Sequence, residues 1–122
     1  MYRVPEDLDF TSILGADLNI ISLGRYDVQF SFDAKAIICL QSKATLLQNG
    51  MEIATWDDES NWSSLSFQRL LNQTVESFSV PHDQLIQIQF TNDLTLQLHD
   101  SSDQYESMQI YFSNEELPAI II

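Results

Sequence analysis

Residues 99–106 (HDSSDQYE) bring together the side chains of this chain that are best suited to chemistry. One imidazole, that of His99, and three carboxylates lie within eight positions. A calcium loop would alternate its ligands around a central glycine, and a zinc site rarely relies on a single histidine. Adjacent Ser, His and Asp side chains of an extended segment point in alternating directions, which disfavours a catalytic triad. We therefore predict no catalytic residue, no metal and no cofactor, and interpret the segment as a polar connection between strands.

Residues 56–62 (WDDESNW) form the second candidate, an acidic run between two tryptophans. Tryptophan offers a large apolar contact area and carboxylates accept paired hydrogen bonds from arginine, so this segment suits a basic protein surface. Alternatively, both rings pack a helix onto a sheet, and the carboxylates precede the helix N-terminus, where the dipole stabilises negative charge. The candidate partner-binding residues of the two segments are Trp56, Asp57, Asp58, Glu59, Trp62, Asp100, Asp103, Tyr105 and Glu106.

Acidity is the strongest signal in the composition. The 122 residues include 18 Asp and Glu against 5 Lys and Arg, which gives a formal charge of −13. Such a field repels nucleic acid and anionic membranes, and it accelerates encounter with a basic protein. We therefore expect no nucleic-acid or membrane binding, and a basic protein as the kind of partner. Acidic surfaces also keep small proteins in solution without any partner.

Length and composition predict one globular domain over residues 1–122. Hydrophobic residues make up 44% of the chain and aromatic residues 11%, which is enough for a packed core. No apolar run is long enough to cross a bilayer, and no secretory leader is recognised near Met1. The single cysteine, Cys39, cannot form an internal disulfide. We expect a cytoplasmic protein in which this thiol is a small buried side chain.

Alternating apolar and polar residues predict a mainly β fold. In the clearest case, from Tyr26 to Phe32, the even positions are apolar and the odd positions are polar. Residues 1–9 are expected to be loosely held, and residues 38–46 to form one continuous strand. Further strands are predicted near residues 18–23, 53–55, 75–80, 85–91, 94–99, 108–112 and 119–122.

Two hairpins can be predicted with their registers. Asn49-Gly50 favours a type I′ turn because both residues tolerate positive φ, and a two-residue turn would place Leu46 opposite Ile53 and Ala44 opposite Thr55. In the second hairpin, a three-residue loop at 91–93 keeps both apolar rows on one face. That loop places Phe90 opposite Leu94 and puts Asp93 in the left-handed region.

One short helix is predicted at about residues 63–71. Phe67, Leu70 and Leu71 fall at helical spacing there, and polar residues just before them can cap the start. The predicted fold is therefore α+β and predominantly β. We expect an antiparallel sheet of about eight strands, strongly curved or barrel-like, that curls around this helix.

Three short motifs carry a resemblance to a known group of proteins. Residues 60–67 (SNWSSLSF), 102–110 (SDQYESMQI) and 30–33 (FSFD) resemble a family of small acidic bacterial proteins of unknown function. Asp93 stands where that pattern would carry glycine, a departure that concerns the hairpin loop. The resemblance implies a stand-alone bacterial domain, and some comparable proteins look like immunity partners of secreted toxins.

Three functions follow as expectations. The first is a protein-binding module, in its specific form an immunity protein that neutralises a basic toxin. The second is a small-molecule binder or enzyme with a polar site near His99, Asp103 and Glu106. The third is a self-associating structural protein, such as a dimer, whose apolar residues 120–122 pair across an edge strand. Alternatively, this last strand simply closes its own sheet.

Overall fold

Two antiparallel sheets of five strands each make up the architecture. The computed structural model describes residues 3–57, 65–101, 106–114 and 116–122. Within these ranges the strands are β1 (Leu18–Leu23), β2 (Val28–Phe32), β3 (Ala36–Leu40), β4 (Lys43–Gln48), β5 (Met51–Trp56), β6 (Val75–His82), β7 (Leu85–Phe90), β8 (Leu94–His99), β9 (Met108–Phe112) and β10 (Ile120–Ile121). The first sheet has the order β1-β2-β3-β9-β10, and the second sheet has the order β5-β4-β8-β7-β6.

One hydrophobic core lies between the two sheets. In most strands the even-numbered side chains point inward, as the period-two pattern predicts for strands with one buried face. Phe32 of β2 stacks on Phe90 of β7 with ring centroids 6.3 Å apart, so the first sheet packs face to face on the second. The odd-numbered side chains of these strands therefore form two outer faces, one for each sheet.

The mainly β, antiparallel prediction is confirmed, but a single strongly curved or barrel-like sheet of eight strands is wrong. The expected continuous strand at 38–46 is divided at Gln41 and Ser42, where the chain passes from β3 in the first sheet to β4 in the second. β3 then pairs with β9, and β4 with β8. These pairings join residues at least 46 positions apart in sequence, so local alternation carries no information about them.

The predicted helix at 63–71 is a six-residue 3₁₀ helix at Leu65–Leu70, and residues 63 and 64 lie outside the described ranges. Phe67 and Leu70 are buried, as their spacing predicted, whereas Leu71 is partly exposed. The other helices of the described chain are three-residue 3₁₀ segments at Thr11–Ile13 and Thr91–Asp93. The α+β class is therefore wrong for the described chain, which is a β fold with few helical residues.

The Asn49-Gly50 turn is confirmed, but the predicted register of its hairpin is wrong. Both turn residues have positive φ, 53° and 78°. However, Ile53 is an extra residue, so that Leu46 lies opposite Ala54 and Ala44 lies opposite Trp56. A β-bulge of one residue moves every later side chain to the other face of the strand. This bulge is what turns Trp56 into the core.

The second hairpin agrees with its prediction. Phe90 lies opposite Leu94, and the three-residue loop at 91–93 separates them. Asp93 has φ of 57°, in the left-handed region, and Asn92 joins it there with φ of 62°.

Both ends of the described chain are integrated in the fold. Residues 3–9 are not loosely held, because Val4 and Leu8 are buried and the Val4 N–H donates to the Asp83 carbonyl at 2.8 Å. At the other end, β10 pairs with β9 and Ile122 is fully buried. The last strand is therefore the edge strand of the first sheet, beside β9. None of the helices in the described ranges is long and apolar enough to span a membrane.

Candidate functional site

The two acidic segments singled out in the sequence leave the fold from the same end. Ala44 lies opposite both Trp56 of β5 and Leu98 of β8, so these strands end side by side. In the first sheet, β9 begins at Met108, opposite the last residue of β3. We call this the acidic end. Asp58, Glu59, Trp62, Asp103 and Tyr105, all proposed to bind a partner, lie outside the described residues.

Trp56 does not present its ring to a partner, because its side chain is fully buried. Its indole Nε1 is also buried, and no acceptor for it is found in the part of the chain that the structure describes. The ring therefore serves packing, which is the alternative that the sequence left open. The following residue, Asp57, is half-buried.

Asp100 is also buried, at the centre of a junction that we define by Arg3, Asp100 and Ser107. Arg3 Nη1 donates to Asp100 Oδ2 at 2.9 Å, and the Ser107 hydroxyl donates to Asp100 Oδ1. The guanidinium side of the pair is 40% exposed, whereas the carboxylate has no exposed surface. A carboxylate in this position stabilises the fold and cannot contact a partner directly.

The junction joins both sheets to both ends of the chain. The Ser107 N–H donates to the Ile122 carbonyl at 2.6 Å, and the Gln41 N–H donates to the Ser107 carbonyl at 2.8 Å. The Asp100 N–H donates to the Gln84 carbonyl at 2.9 Å, which adds the turn between β6 and β7. Its partners lie as far as 97 positions away in sequence, so residue types near Asp100 could not reveal it.

Glu106 differs from Asp100 in being exposed. Its Oε2 accepts a hydrogen bond from Gln109 Nε2 at 3.0 Å, and the same amide nitrogen lies 3.3 Å from Gln41 Oε1. Gln109 belongs to β9 and points away from the core. Of the described candidates for partner binding, Glu106 therefore lies beside the outer face of the first sheet.

His99 is half-buried on the outer face of the second sheet. Its Nε2 lies 3.1 Å from the Thr45 hydroxyl, which itself donates to Gln97 Oε1 at 2.9 Å. While the Thr45 hydroxyl donates to Gln97, it can only accept from His99, which corresponds to the tautomer with the hydrogen on Nε2. Burial lowers the pKa of His99, and the positive charges of Lys43 and His82 lower it further. The imidazole is thereby kept neutral and tied into the sheet.

The described residues give little support to a small-molecule site around His99. Among them, no group of three or more His, Cys, Asp and Glu side chains could hold a metal ion. A cleft of about 320 Å³ lies near this end, but its lining does not include His99. That lining consists of Val4, Glu6, Val80, Pro81, His82 and Asp83. Asp103, the third residue of the hypothesis, lies outside the described ranges.

The outer face of the second sheet carries Lys43, Leu47 and Glu52 and, beside them, a group of uncharged polar side chains bound to one another. We call it the Gln97 face, formed by Thr45, Gln87, Gln89, Thr95, Gln97 and His99. Gln97 Nε2 donates to Gln87 Oε1 at 3.1 Å, and the Thr95 hydroxyl donates to Gln89 Oε1 at 2.9 Å. With the Thr45 bonds, these contacts satisfy much of the hydrogen-bonding capacity of the face within the sheet itself.

The outer face of the first sheet carries a group of exposed apolar side chains, interspersed with Ser22, Gln29, Ser31 and Gln109. We call it the Ile37 face, formed by Ile20, Ile37, Cys39, Tyr111 and Ile121. Four of these side chains remain substantially exposed: Ile20 is 54%, Tyr111 47%, Ile37 39% and Ile121 37% exposed. Register places Ile37 directly opposite Tyr111, and Cys39 opposite Gln109.

Charge is nearly absent from the strands beneath both faces. The five strands of the first sheet contain no Asp, Glu, Lys or Arg, and of the described acidic residues only Glu52 and Glu76 lie within strands. The acidity of the chain is therefore carried by its loops and termini. Asp27 borders the Ile37 face, where its Oδ2 accepts a hydrogen bond from Gln29 Nε2 at 3.4 Å.

Cys39 is partly exposed on the Ile37 face, so the expectation of a buried small side chain is wrong. Parity explains the error, because Ile38 and Leu40 occupy the inward positions of β3. Burial raises the pKa of the Cys39 thiol, and the charge of Asp27 raises it further. The thiol is therefore protonated near neutral pH.

Sequence reasoning missed the Ile37 face, although a signal was available. β3 (AIICL) is apolar at inward and outward positions alike. A strand of that kind is usually covered on both sides, by a second sheet or by another molecule. Assigning residues 38–46 to one long strand concealed this feature.

Comparisons with known proteins return no match. The chain matches no family model, no curated protein and no solved structure. The resemblance based on residues 60–67 and 102–110 stays a prediction, and much of both motifs lies outside the described residues.

Proposed function

We propose that this domain is a protein-binding module whose partner is a basic protein, and that it has no enzymatic role. The single observation that carries the proposal is the distribution of charge. The chain has a formal charge of −13, and all of its described acidic residues except Glu52 and Glu76 lie outside the strands. A negative field of this kind attracts a basic protein over a distance, and the uncharged faces permit close contact once it arrives.

Five Lys and Arg side chains oppose this field, and the formal charge of −13 already includes them. Arg3 is engaged with Asp100, and Arg69 Nη1 donates to Gln48 Oε1 at 2.6 Å. Arg25 lies over the ring of Tyr26, 5.1 Å from its centroid, at the tip of the β1–β2 hairpin. The acidic residues outnumber the basic ones by 13. Steering by the whole molecule therefore favours cationic surfaces.

An immunity protein that neutralises a basic toxin is the specific form of this proposal. Such a protein must meet its toxin rapidly, and an opposite net charge raises the association rate well above that of neutral partners. The resemblance to small acidic bacterial proteins also supports this form. The partner would then be encoded beside this chain, which a growth assay with the adjacent gene product can test.

The test begins with capture on the immobilised domain at 20 to 50 mM salt. The captured protein is then purified and its association rate is measured against salt concentration. We expect a defined complex with a basic protein, and an association rate that falls at least tenfold between 50 and 200 mM salt because counterions screen the steering field.

A pair of charge-removing substitutions separates electrostatic steering from direct contact. Glu6→Gln with Glu116→Gln removes two exposed charges and should slow association without changing the dissociation rate. Failure to capture any basic protein at low salt would overturn the proposal, as would a complex whose association rate does not depend on salt.

A further inference from the structure

We propose that the Ile37 face is the surface on which the basic partner lies, with the apolar centre of the partner on Ile37 and Tyr111 and its cations toward the acidic end. This inference rests on the proposed function. It also moves the contact surface away from Trp56 and Asp100, which are buried, to residues that the sequence had not singled out.

The Ile37 face is continuous across the strands of its sheet. One row of cross-strand neighbours runs from Ile20 through Ser31 and Ile37 to Tyr111. The next row runs from Gln29 through Cys39 and Gln109 to Ile121. Directly opposed side chains in antiparallel strands are about 5 Å apart at Cβ, so Ile37 adjoins Tyr111. Ser31 lies between Ile20 and Ile37, and Gln109 lies between Cys39 and Ile121.

The composition of the face matches that of an interface centre. Tyrosine is enriched among residues that dominate binding energy, and the removal of apolar area from water favours association. The Gln97 face offers little such gain, because its side chains are polar and covering them would exchange hydrogen bonds with water for hydrogen bonds with the partner. The two faces are thus unequal as docking surfaces.

Charge at the edge of the Ile37 face identifies the kind of partner. Asp27 and Glu106 are both joined by hydrogen bonds to polar side chains of this face. They lie at the acidic end, where β2 and β9 begin. A partner with an apolar centre and lysine or arginine on one flank would pair with both features at once.

The Ile37 face alone is too small for a stable protein interface, so the proposed contact also includes the acidic end. Strand spacing and residue rise give the Ile37 face roughly 350 Å². A stable protein interface needs about 800 Å² on each partner, so the face supplies nearly half. A second copy is a poor occupant, because two chains of charge −13 repel each other.

The single cysteine provides a test that needs no substitution. Cys39 lies on the proposed surface and is partly exposed, so a small thiol reagent can reach it in the free domain. We expect saturating amounts of the purified basic protein from low-salt capture to slow alkylation of Cys39 at least tenfold. The control is Thr95→Cys in a Cys39→Ser background, which reports on the Gln97 face and should react equally fast with and without that protein.

Substitutions then measure the contribution of the face to affinity. Ile37→Ser and Tyr111→Ser should each weaken binding about 10- to 100-fold, mainly through faster dissociation, since truncation of a central interface residue has effects of this size. Gln89→Ser on the Gln97 face is the matched control and should leave affinity within about twofold. Thermal unfolding verifies that each variant remains folded.

The outcomes distinguish this inference from the proposed function. Salt-dependent binding of the purified partner without protection of Cys39, and with unchanged affinity of the Ile37 face variants, overturns the inference and leaves the function standing. Absence of any basic partner overturns both. Protection of Cys39 by rising domain concentration alone, stronger at high salt, would identify a second copy as the occupant and would also overturn both.

Discussion

The two outer faces of this sandwich are built on the same strand parity but differ in what they need from their surroundings. On the Gln97 face, the Thr45 hydroxyl donates to Gln97 and Gln97 donates to Gln87. On the Ile37 face, Tyr111 and Ile37 lie side by side and leave apolar surface in water. The polar side chains of the first face have partners within the isolated domain. Covering the apolar side chains of the second face would be thermodynamically favourable.

This difference shows that exposure alone does not mark a binding surface. Both faces lie on sheets whose strands contain few charged residues, so charge hardly separates them. Hydrogen bonding does separate them, because the polar side chains of the Gln97 face are paired within the sheet, whereas the apolar side chains of the Ile37 face are exposed to water. Three tests of this comparison follow. They change, in turn, the junction that supports both sheets, the two faces themselves, and the protonation of His99.

The largest effect is expected at the junction of the two sheets. Asp100→Ala removes the buried acceptor of Arg3 and Ser107, and we expect it to lower the free energy of unfolding by about 2–3 kcal/mol, the range for hydrogen bonds to charged groups. Urea unfolding measures the change. Glu106→Ala, in the same segment but exposed, should stay within about 0.5 kcal/mol. Equal effects of the two substitutions would mean that the junction does not stabilise the sandwich.

A smaller effect should distinguish the faces directly. Thr45→Val keeps the shape of the side chain but removes the hydroxyl between Gln97 and His99, and should lower the free energy of unfolding by about 1 kcal/mol. Ser31→Val, between Ile20 and Ile37 on the other sheet, replaces a hydroxyl with a methyl group and adds a second methyl group. It should leave stability unchanged or raise it by about 0.5 kcal/mol, through strand propensity and cross-strand contact. Parallel urea titrations test the opposite signs, and a loss of stability in both variants would remove the distinction.

The smallest effect concerns pH and the Gln97 face. Burial and the neighbouring charges of Lys43 and His82 lower the pKa of His99, while Glu52 opposes them. The unfolded chain therefore takes up this proton first, so the contribution of His99 to stability is full above the ordinary histidine pKa, near 6.5, and is lost as the pH falls below it. Wild-type protein should lose more stability between pH 7.5 and 5.5 than His99→Gln does. An identical pH dependence of the two proteins would contradict this assignment.

Local chemistry determined much of the fold. Alternation located the strands that the structure contains, and the inward even positions of β2, β7 and β8 follow directly from it. Asn49-Gly50 and the loop at 91–93 were predictable because positive φ favours few residue types. The candidate site was less predictable. Glu106 came from its acidic segment, whereas Ile37 and Tyr111 were overlooked because a long apolar run conceals which side chains point outward.

The sequence by itself thus determined the strands, the tight turns, the inward parity of most strands and the strong negative charge, since each depends on neighbours a few residues apart. Tertiary structure decided the rest. The division into two sheets depends on the change of sheet at Gln41 and Ser42 and on pairing with β9, and the burial of Trp56 depends on the bulge at Ile53. From the sequence, Asp100 is expected to be a surface carboxylate. In the structure it accepts hydrogen bonds from Arg3 and Ser107, which come from distant parts of the chain. Whether a side chain binds a partner or supports the fold depends on what packs against it, and those contacts are made only when the sheets come together.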